Sequence, residues 1–357
     1  MPAAALAHDA ASPARRPGLP RAARWAVGAG LIVLFALVAI ASLALGTRTI
    51  PFGDVVGFML GQADPEGFTS RVLMQRLPRT LFAMLAGAAL GVSGLLMQAV
   101  TRNPIADPSI LGVNSGAALF VVCGIAFAHI TTTGQYMAFA VAGATITALL
   151  VYGVGSAGSG GATPLKLALA GTAVSVALSS LVSIVIMPRN NVMDQFRFWQ
   201  IGSVGGSSWA DITGFLPVFL VGVAVALVMA SSLEVLALGD DAAVGLGARP
   251  GLIRMVASAA AVLLCGAVTS LAGPIGFVGL MVPHAVRLVW RTASLRAVTL
   301  LSAGVGALLL TVSDVIGRVV GGTGEVEVGI VTAVIGAPVF IVIAIRAGKS
   351  SGFEEAR

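Results

Sequence analysis

Ten stretches of this chain are apolar for long enough to cross a lipid bilayer, and no other feature of the sequence limits the fold so tightly. They lie near residues 25–46, 78–100, 108–129, 135–155, 165–187, 211–231, 252–272, 275–290, 297–317 and 328–346. A hydrocarbon core about 30 Å thick calls for roughly 20 apolar residues of helix. The runs are continuous, so the alternating pattern of outer-membrane barrel strands does not apply. Only 10% of the 357 residues are charged and 57% are hydrophobic, whereas a soluble domain carries roughly 25% charged residues. The expected fold is all-α: a polytopic membrane protein of about ten transmembrane helices.

Four arginines, Arg15, Arg16, Arg21 and Arg24, precede the first run. That resembles a signal peptide, but about 22 apolar residues exceed the usual core of roughly 7–15. The run is therefore read as a retained helix behind a disordered tail, residues 1–24. The ten-helix body then covers 25–346 and a short tail covers 347–357. Placing the N-terminus in the cytoplasm and counting ten crossings puts 14 of the 21 Lys and Arg residues inside. Arg48, Arg71, Arg76, Arg79, Arg189, Arg197 and Arg318 fall outside. This bias predicts both termini in the cytoplasm. It also accounts for the net charge of +6 without any nucleic acid partner. Cys123 and Cys265 sit inside apolar runs, with neither disulfide nor metal-ligand spacing.

The outside arginines need a reason. Arg76 and Arg79 flank Pro78, which suits the first turn of a helix. Arg318 follows Asp314 by four residues, so the two can pair on one helix face. Such arginines either anchor helix ends at lipid headgroups or form a cationic rim for an acidic partner. Between the second and third runs, Asn103-Pro104 makes a turn. Asp107 then reads as an N-cap and Pro108 as the first helical residue. Asn114, near the start of that helix, either packs or lines a path.

The longest internal polar segment is 233–254, LEVLALGDDAAVGLGARPGLIR. It reads as two short helical pieces: Gly239 ends the first, Asp240 caps the second, and Gly245 or Gly247 ends that one. Asp240 and Asp241 at a helix start are favoured by the helix dipole. The segment is acidic and rich in small residues, unlike the basic face that anionic lipid attracts. A protein partner fits it better.

These residues carry a resemblance. RLPRTLFAMLAGAALGVSGLLMQAVTRNPIADPSILGVNSGAAL, LGDDAAVGLG, AGPIGFVGLMVPHAVRLV and GIVTAVIGAPVF resemble, in order, four blocks of the FecCD-type permeases. These are the membrane subunits of ATP-binding-cassette importers for ferric siderophores, haem and cobalamin. The resemblance covers roughly residues 45 to 346. It implies a ten-helix subunit of the bacterial cytoplasmic membrane, paired with a second permease, either a copy of itself or a paralogue. It also implies two ATPase subunits that carry ATP and Mg, with no cofactor on this chain, and an extracytoplasmic substrate-binding protein. By resemblance, Arg76, Arg79 and Arg318 dock that binding protein. Leu238, Gly239, Asp240, Asp241, Ala242, Gly245, Leu246 and Gly247 form the segment that couples to the ATPase. ATPLK, with Thr163, Pro164 and Lys166, matches a cytoplasmic gate loop. One departure stands out: the family's Glu-apolar-Pro-apolar-Gly block is here Glu325-Val326-Glu327-Val328-Gly329. Either glutamate could pair with Arg318 or face substrate.

GPIGFVGLMVPH, residues 273–284, breaks the backbone at membrane depth. That is tolerated only where protein or a water-filled cavity covers it, and broken helices are common in transporters. Gly276, Gly279 and Pro283 are thus read as letting a short, kinked segment pack inside the subunit. His284 is either a proton relay or a neutral histidine bonded to a neighbouring helix. The echo of AVT at 99–101 and 267–269 hints at an inverted repeat. The chain offers no nucleotide site of its own: GKS at 348–350 has Ile343 where a P-loop needs glycine. The expected activity is import of ferric siderophores by alternating access. Haem or cobalamin import is the alternative, and an ATP-independent secondary transporter is the runner-up of another class.

Overall fold

The computed structural model describes residues 21–351 apart from 65, 158–162 and 291–293. Most of the expected N-terminal tail, the last six residues and the Ala162 end of the ATPLK motif therefore lie outside the described residues. Thirteen α-helices and no strands occur among the described residues. They are α1 (Arg21–Ala44), α2 (Phe52–Met59), α3 (Phe68–Thr101), α4 (Val113–Phe127), α5 (Thr133–Ser156), α6 (Pro164–Ile186) and α7 (Asn190–Ile201). α8 (Trp209–Ala237), α9 (Asp240–Gly245), α10 (Pro250–Ala272), α11 (Val278–Val289), α12 (Leu295–Val320) and α13 (Val328–Ser351) follow.

Each of the ten apolar runs is helical. By length and composition six helices can cross a bilayer: α3, α5, α6, α8, α10 and α12. α11 has 12 residues, roughly 18 Å at 1.5 Å per residue, so it is too short to span alone and is preceded by the coil at 273–277. The boundaries differ from expectation where tertiary packing extends a helix. α3 begins at Phe68, ten residues before Pro78, so Pro78 lies inside the helix and is buried rather than opening it. Asp107 caps a single 3-10 turn, Pro108–Leu111, by accepting from the Ser109 amide. Gly112, at φ 72°, then ends that turn and starts α4. α2 and α7 are short helices between the apolar runs.

α3 and α10 form the centre. Their apolar windows are 83% and 72% buried, against 11% to 39% for the other four long helices. Small residues make this possible, since association within lipid relies on close packing. A Cβ on Gly87 would strike the Gly306 carbonyl of α12, and one on Gly94 would strike Gly279 of α11. Ser93 Oγ donates to the Ala261 carbonyl at 2.5 Å, joining α3 to α10. The packing repeats itself: α4, α5 and α6 pack on one another as α11, α12 and α13 do. α3 lies against α11 and α12, and α10 lies against α4 and α5. The outward surface stays apolar, with Leu149, Leu169, Ile184 and Val228 exposed, as a lipid-facing surface requires. Cys123 and Cys265 are both free thiols.

Candidate functional site

Two polar clusters sit along α3, one around Arg76 and Arg79 within the helix and one at its C-cap, Arg102. The helix between Arg79 and Arg102 is roughly 35 Å long, enough to bracket a hydrocarbon core about 30 Å thick.

At the first end, α1 stops at Ala44 and leaves its final carbonyls without helical partners. Arg76 Nη1 donates to the carbonyls of Leu43 (2.7 Å) and Ala44 (3.2 Å), and Nη2 to that of Arg48 (2.6 Å). Arg318 Nη1 donates to the carbonyls of Ser42 (2.9 Å) and Leu45 (3.0 Å), and Nη2 to Ser42 Oγ (2.8 Å). Cations at a helix C-terminus are also favoured by its dipole. Arg79 bridges two carboxylates. Its Nε and Nη2 donate to Asp314 Oδ1 at 3.0 and 2.8 Å, and Nη1 to Glu325 Oε2 at 2.8 Å. Asp314 Oδ2 lies 3.0 Å from Arg318 Nη2, the pairing that the four-residue spacing indicates. The structure thus brings the three arginines together, but as a closed network. Arg76 is 8% exposed and Arg318 2%, while the Arg79 side chain is 12% and that of Glu325 35% exposed. Only the Arg79–Glu325 pair reaches the surface.

The two glutamates of the departed motif divide their roles. Glu325, at φ 25°, goes to Arg79. Glu327 precedes α13, and its carbonyl accepts from the amides of Ile330 (3.0 Å) and Val331 (3.4 Å). A negative side chain is favoured at that helix N-terminus. Arg318 takes Asp314 rather than either glutamate as its carboxylate.

At the other end, the 233–254 segment holds one short helix rather than two. Residues 233–237 complete α8, and α9 follows after Gly239 at φ 115°. Gly239 is the N-cap, so Asp240 is the first helical residue and does not cap. Its carboxylate goes elsewhere: Arg254 Nη1 donates to Oδ2 at 2.9 Å and Nη2 to Oδ1 at 2.7 Å. Arg102 donates to the same Oδ1, and also to the Leu236 carbonyl at 2.5 Å. The hydrogen bonds from Arg254 hold the Asp240 carboxyl below the ordinary carboxylate value, against a smaller opposing effect of burial, and Arg102 adds to the depression. Asp241, Ala242, Gly245 and Gly247 face solvent. Leu238, Val244 and Leu246 are exposed apolar side chains on the same segment. At the ATPLK motif, Thr163 caps α6 by accepting from the Lys166 amide, and Pro164 is the first residue of that helix. Lys166 Nζ donates to the Ala157 carbonyl at 3.5 Å.

Between the ends lies the broken segment. Pro283, inside α11, cannot donate to the carbonyl four residues back, which is Gly279. Gln98 of α3 supplies the missing donor: its Nε2 donates to the carbonyls of Gly279 (3.4 Å) and Leu280 (3.1 Å). Arg287 Nη1 in turn donates to Gln98 Oε1 at 3.0 Å. A neighbouring helix thus satisfies the freed backbone, as the bilayer demands. Gly279 stands where α3 and α11 touch, while Gly276 is in open space and exposed. Phe277 takes a left-handed conformation at φ 69°, so a break at 273–277 precedes a continuous helix. Asn114 accepts from Thr269 Oγ1 at 3.3 Å, linking α4 to α10. His284 is half-buried. Gln98, Arg287, Arg102, Arg254 and Glu234 were not singled out by sequence. A glutamine in an apolar run, with a proline in a neighbouring run, is the signal that marks the first pair. Glu234 accepts from the Leu295 amide at 2.6 Å, opening α12.

An all-helical bundle with a lipid-facing surface, a buried central pair and polar ends is a multi-pass membrane protein. Within that class, the model of the FecCD transport family matches residues 33–346, and the chain belongs to that family. It is 39% identical over 321 residues to the ferric enterobactin transport system permease protein of Escherichia coli, covering 89% of this chain and 94% of that protein. It is 44% identical to the Fe(3+)-citrate import system permease protein of Bacillus subtilis, covering 77% and 81%. It is also 39% identical to the cobalamin import system permease protein of Halobacterium salinarum, covering 74% and 71%. A solved metal-chelate type ABC transporter in an inward-facing conformation matches with TM-score 0.76 at 27% identity, over 88% of this chain and 97% of that one.

Proposed function

We propose that this chain is the membrane-spanning subunit of an ATP-driven importer for ferric siderophores in a bacterial cytoplasmic membrane. The observation that carries the reading is the α9 segment: a short helix tied to the two central helices, with its Val244 and the flanking Leu238 and Leu246 turned out to solvent. Exposed apolar side chains on an acidic segment suit a protein partner, here the ATPase. Ten crossings with both termini in the cytoplasm agree with the Lys and Arg count. The repeated packing of α3–α6 and α10–α13 supports an inverted repeat, which favours alternating access. A loaded binding protein docks at the Arg79 end, substrate enters between two permease subunits, and nucleotide-driven movement of α9 reverses the cavity. Iron is favoured over cobalamin because two of the three relatives above, including the one at 44% identity, are named for ferric enterobactin and Fe(3+)-citrate.

The test is to tag the chain, extract it gently from its native membrane and identify stoichiometric partners by mass spectrometry. An ATPase among them is expected, and a second permease, if present, decides heterodimer against homodimer. The chain alone, with transport surviving loss of every candidate ATPase, would establish a secondary transporter instead. Growth of a deletion strain on ferric siderophores, haem or cobalamin then assigns the substrate.

A further inference from the structure

We propose that Asp240 is a positioning residue that makes α9 move as one body with α3 and α10, so that a push on α9 reaches both central helices. The proposal rests on the assignment of residues 233–254 as the ATPase-facing segment and adds the linkage behind it.

Local backbone bonds shape the turns at the two ends of α9: the Gly239 amide donates to the Leu236 carbonyl at 3.2 Å and the Ala248 amide to that of Ala243 at 2.9 Å. The helix has six residues and lies between Gly239 at φ 115° and Gly247 at φ 80°. Both are conformations that glycine adopts readily, so the chain turns sharply at each end of the helix. Ala243 is the buried residue of this helix; a single methyl group gives a shallow anchor. The carboxylate of Asp240 provides the rest. Arg254 approaches it fork to fork, at 2.9 and 2.7 Å, the geometry that fixes direction as well as distance. Arg254 is 5% exposed and belongs to the first turns of α10. Its guanidinium is therefore part of the bundle rather than a mobile surface group. Arg102 brings in the second central helix. It is the C-cap of α3, left-handed at φ 52°, and it holds both Asp240 and the Leu236 carbonyl at the end of α8. One carboxylate thus gathers the ends of α3 and α10, and Arg102 ties the end of α8 to them. Asp241, next to it, faces solvent, so the adjacent acids have opposite assignments: Asp240 inward to the chain, Asp241 outward.

The experiment uses the assembled importer in proteoliposomes and the permease alone. Asp240→Asn keeps the shape but loses the charge and one acceptor oxygen. Transport per ATP hydrolysed is expected to fall about ten-fold, the scale of losing one charge-assisted contact, while ATP hydrolysis persists. Asp240→Glu is expected to restore part of the coupling. Arg102→Ala, which removes the more exposed of the two arginines, provides a variant less prone to misfold and is expected to uncouple as well. Spin labels at Val244 of α9 and Leu252 of α10, both exposed, report the linkage in the permease alone. A narrow distance distribution in the parent that broadens in Asp240→Asn and narrows again in Asp240→Glu supports the proposal. A distribution that stays narrow while coupling is lost would place Asp240 on the ATPase contact itself and overturn it. Unchanged coupling despite a broadened distribution would also overturn it. Failure of the parent chain to bind any ATPase defeats the functional reading instead, and the distance measurement separates that outcome from this one.

Discussion

Replacing Gln98 by leucine tests how the broken segment is tolerated. Leucine fills similar space but leaves the Gly279 carbonyl without the donor that Pro283 denies it, and leaves Arg287 without its acceptor. Interhelical hydrogen bonds in membranes average about 0.6 kcal/mol, whereas a buried group left unpaired costs about 1–3 kcal/mol. Two groups are affected, so Gln98→Leu is expected to destabilise by about 1–3 kcal/mol. For a chain of this length that is a fall of roughly 1–5 °C in the melting temperature, readable by thermal unfolding in detergent. The decisive measurement is the double-mutant cycle with Pro283→Ala. Alanine restores an N–H that can donate to the Gly279 carbonyl, so the cost of Gln98→Leu should shrink by about 1 kcal/mol in that background. Equal costs in both backgrounds would refute the argument that Gln98 replaces the donor lost at Pro283.

Arg318→Leu is expected to cost about 3–5 kcal/mol, because it strips a buried carboxylate of a partner and uncaps α1; a variant as stable as the parent in detergent would contradict the network. Glu325→Gln frees Arg79 at the surface, and tighter binding of an acidic binding protein is expected in a pull-down titration. Unaltered affinity would detach Arg79 from docking. Gly245→Ala meets open space, so any loss of transport there reports a partner surface. Gly247→Ala, at φ 80°, is expected to cost about 1 kcal/mol of backbone strain, measured as a lower melting point in the chain alone. The depressed Asp240 value sets a pH dependence. Its contribution to stability is present above the unfolded value of about 3.9 and is lost as pH falls through the lower folded value. The stability gap between the parent and Asp240→Asn should therefore hold at neutral pH and close on acidification below about pH 4; a gap that widened there would reverse the assignment.

Helices were legible because hydrophobicity alone dictates them in a bilayer. Each apolar run became a helix, and the Asp314–Arg318 spacing identified a true pair. What eluded the sequence was long-range polar partnership. Pro78 read as a helix start because proline suits a first turn, but contacts around Leu73 and Arg76 carry α3 ten residues further back. Asp240 read as a cap because aspartate caps well, yet Arg254 of the next helix and Arg102 of the distant α3 claimed its carboxylate. The rim arginines looked like surface charge, since nothing local reveals that the end of α1 lies beside them. The Glu327 substitution became intelligible only once it was seen to sit directly before α13.

The capping of α1 carries a consequence in time. Ser42 and Arg318 are 276 residues apart in sequence. At roughly 5–20 residues per second of synthesis, the first helix waits tens of seconds for the side chain that closes its end. Until then its last carbonyls depend on interfacial water and on Arg76. A nascent chain halted before α12 therefore holds the end of its first helix by one arginine rather than two.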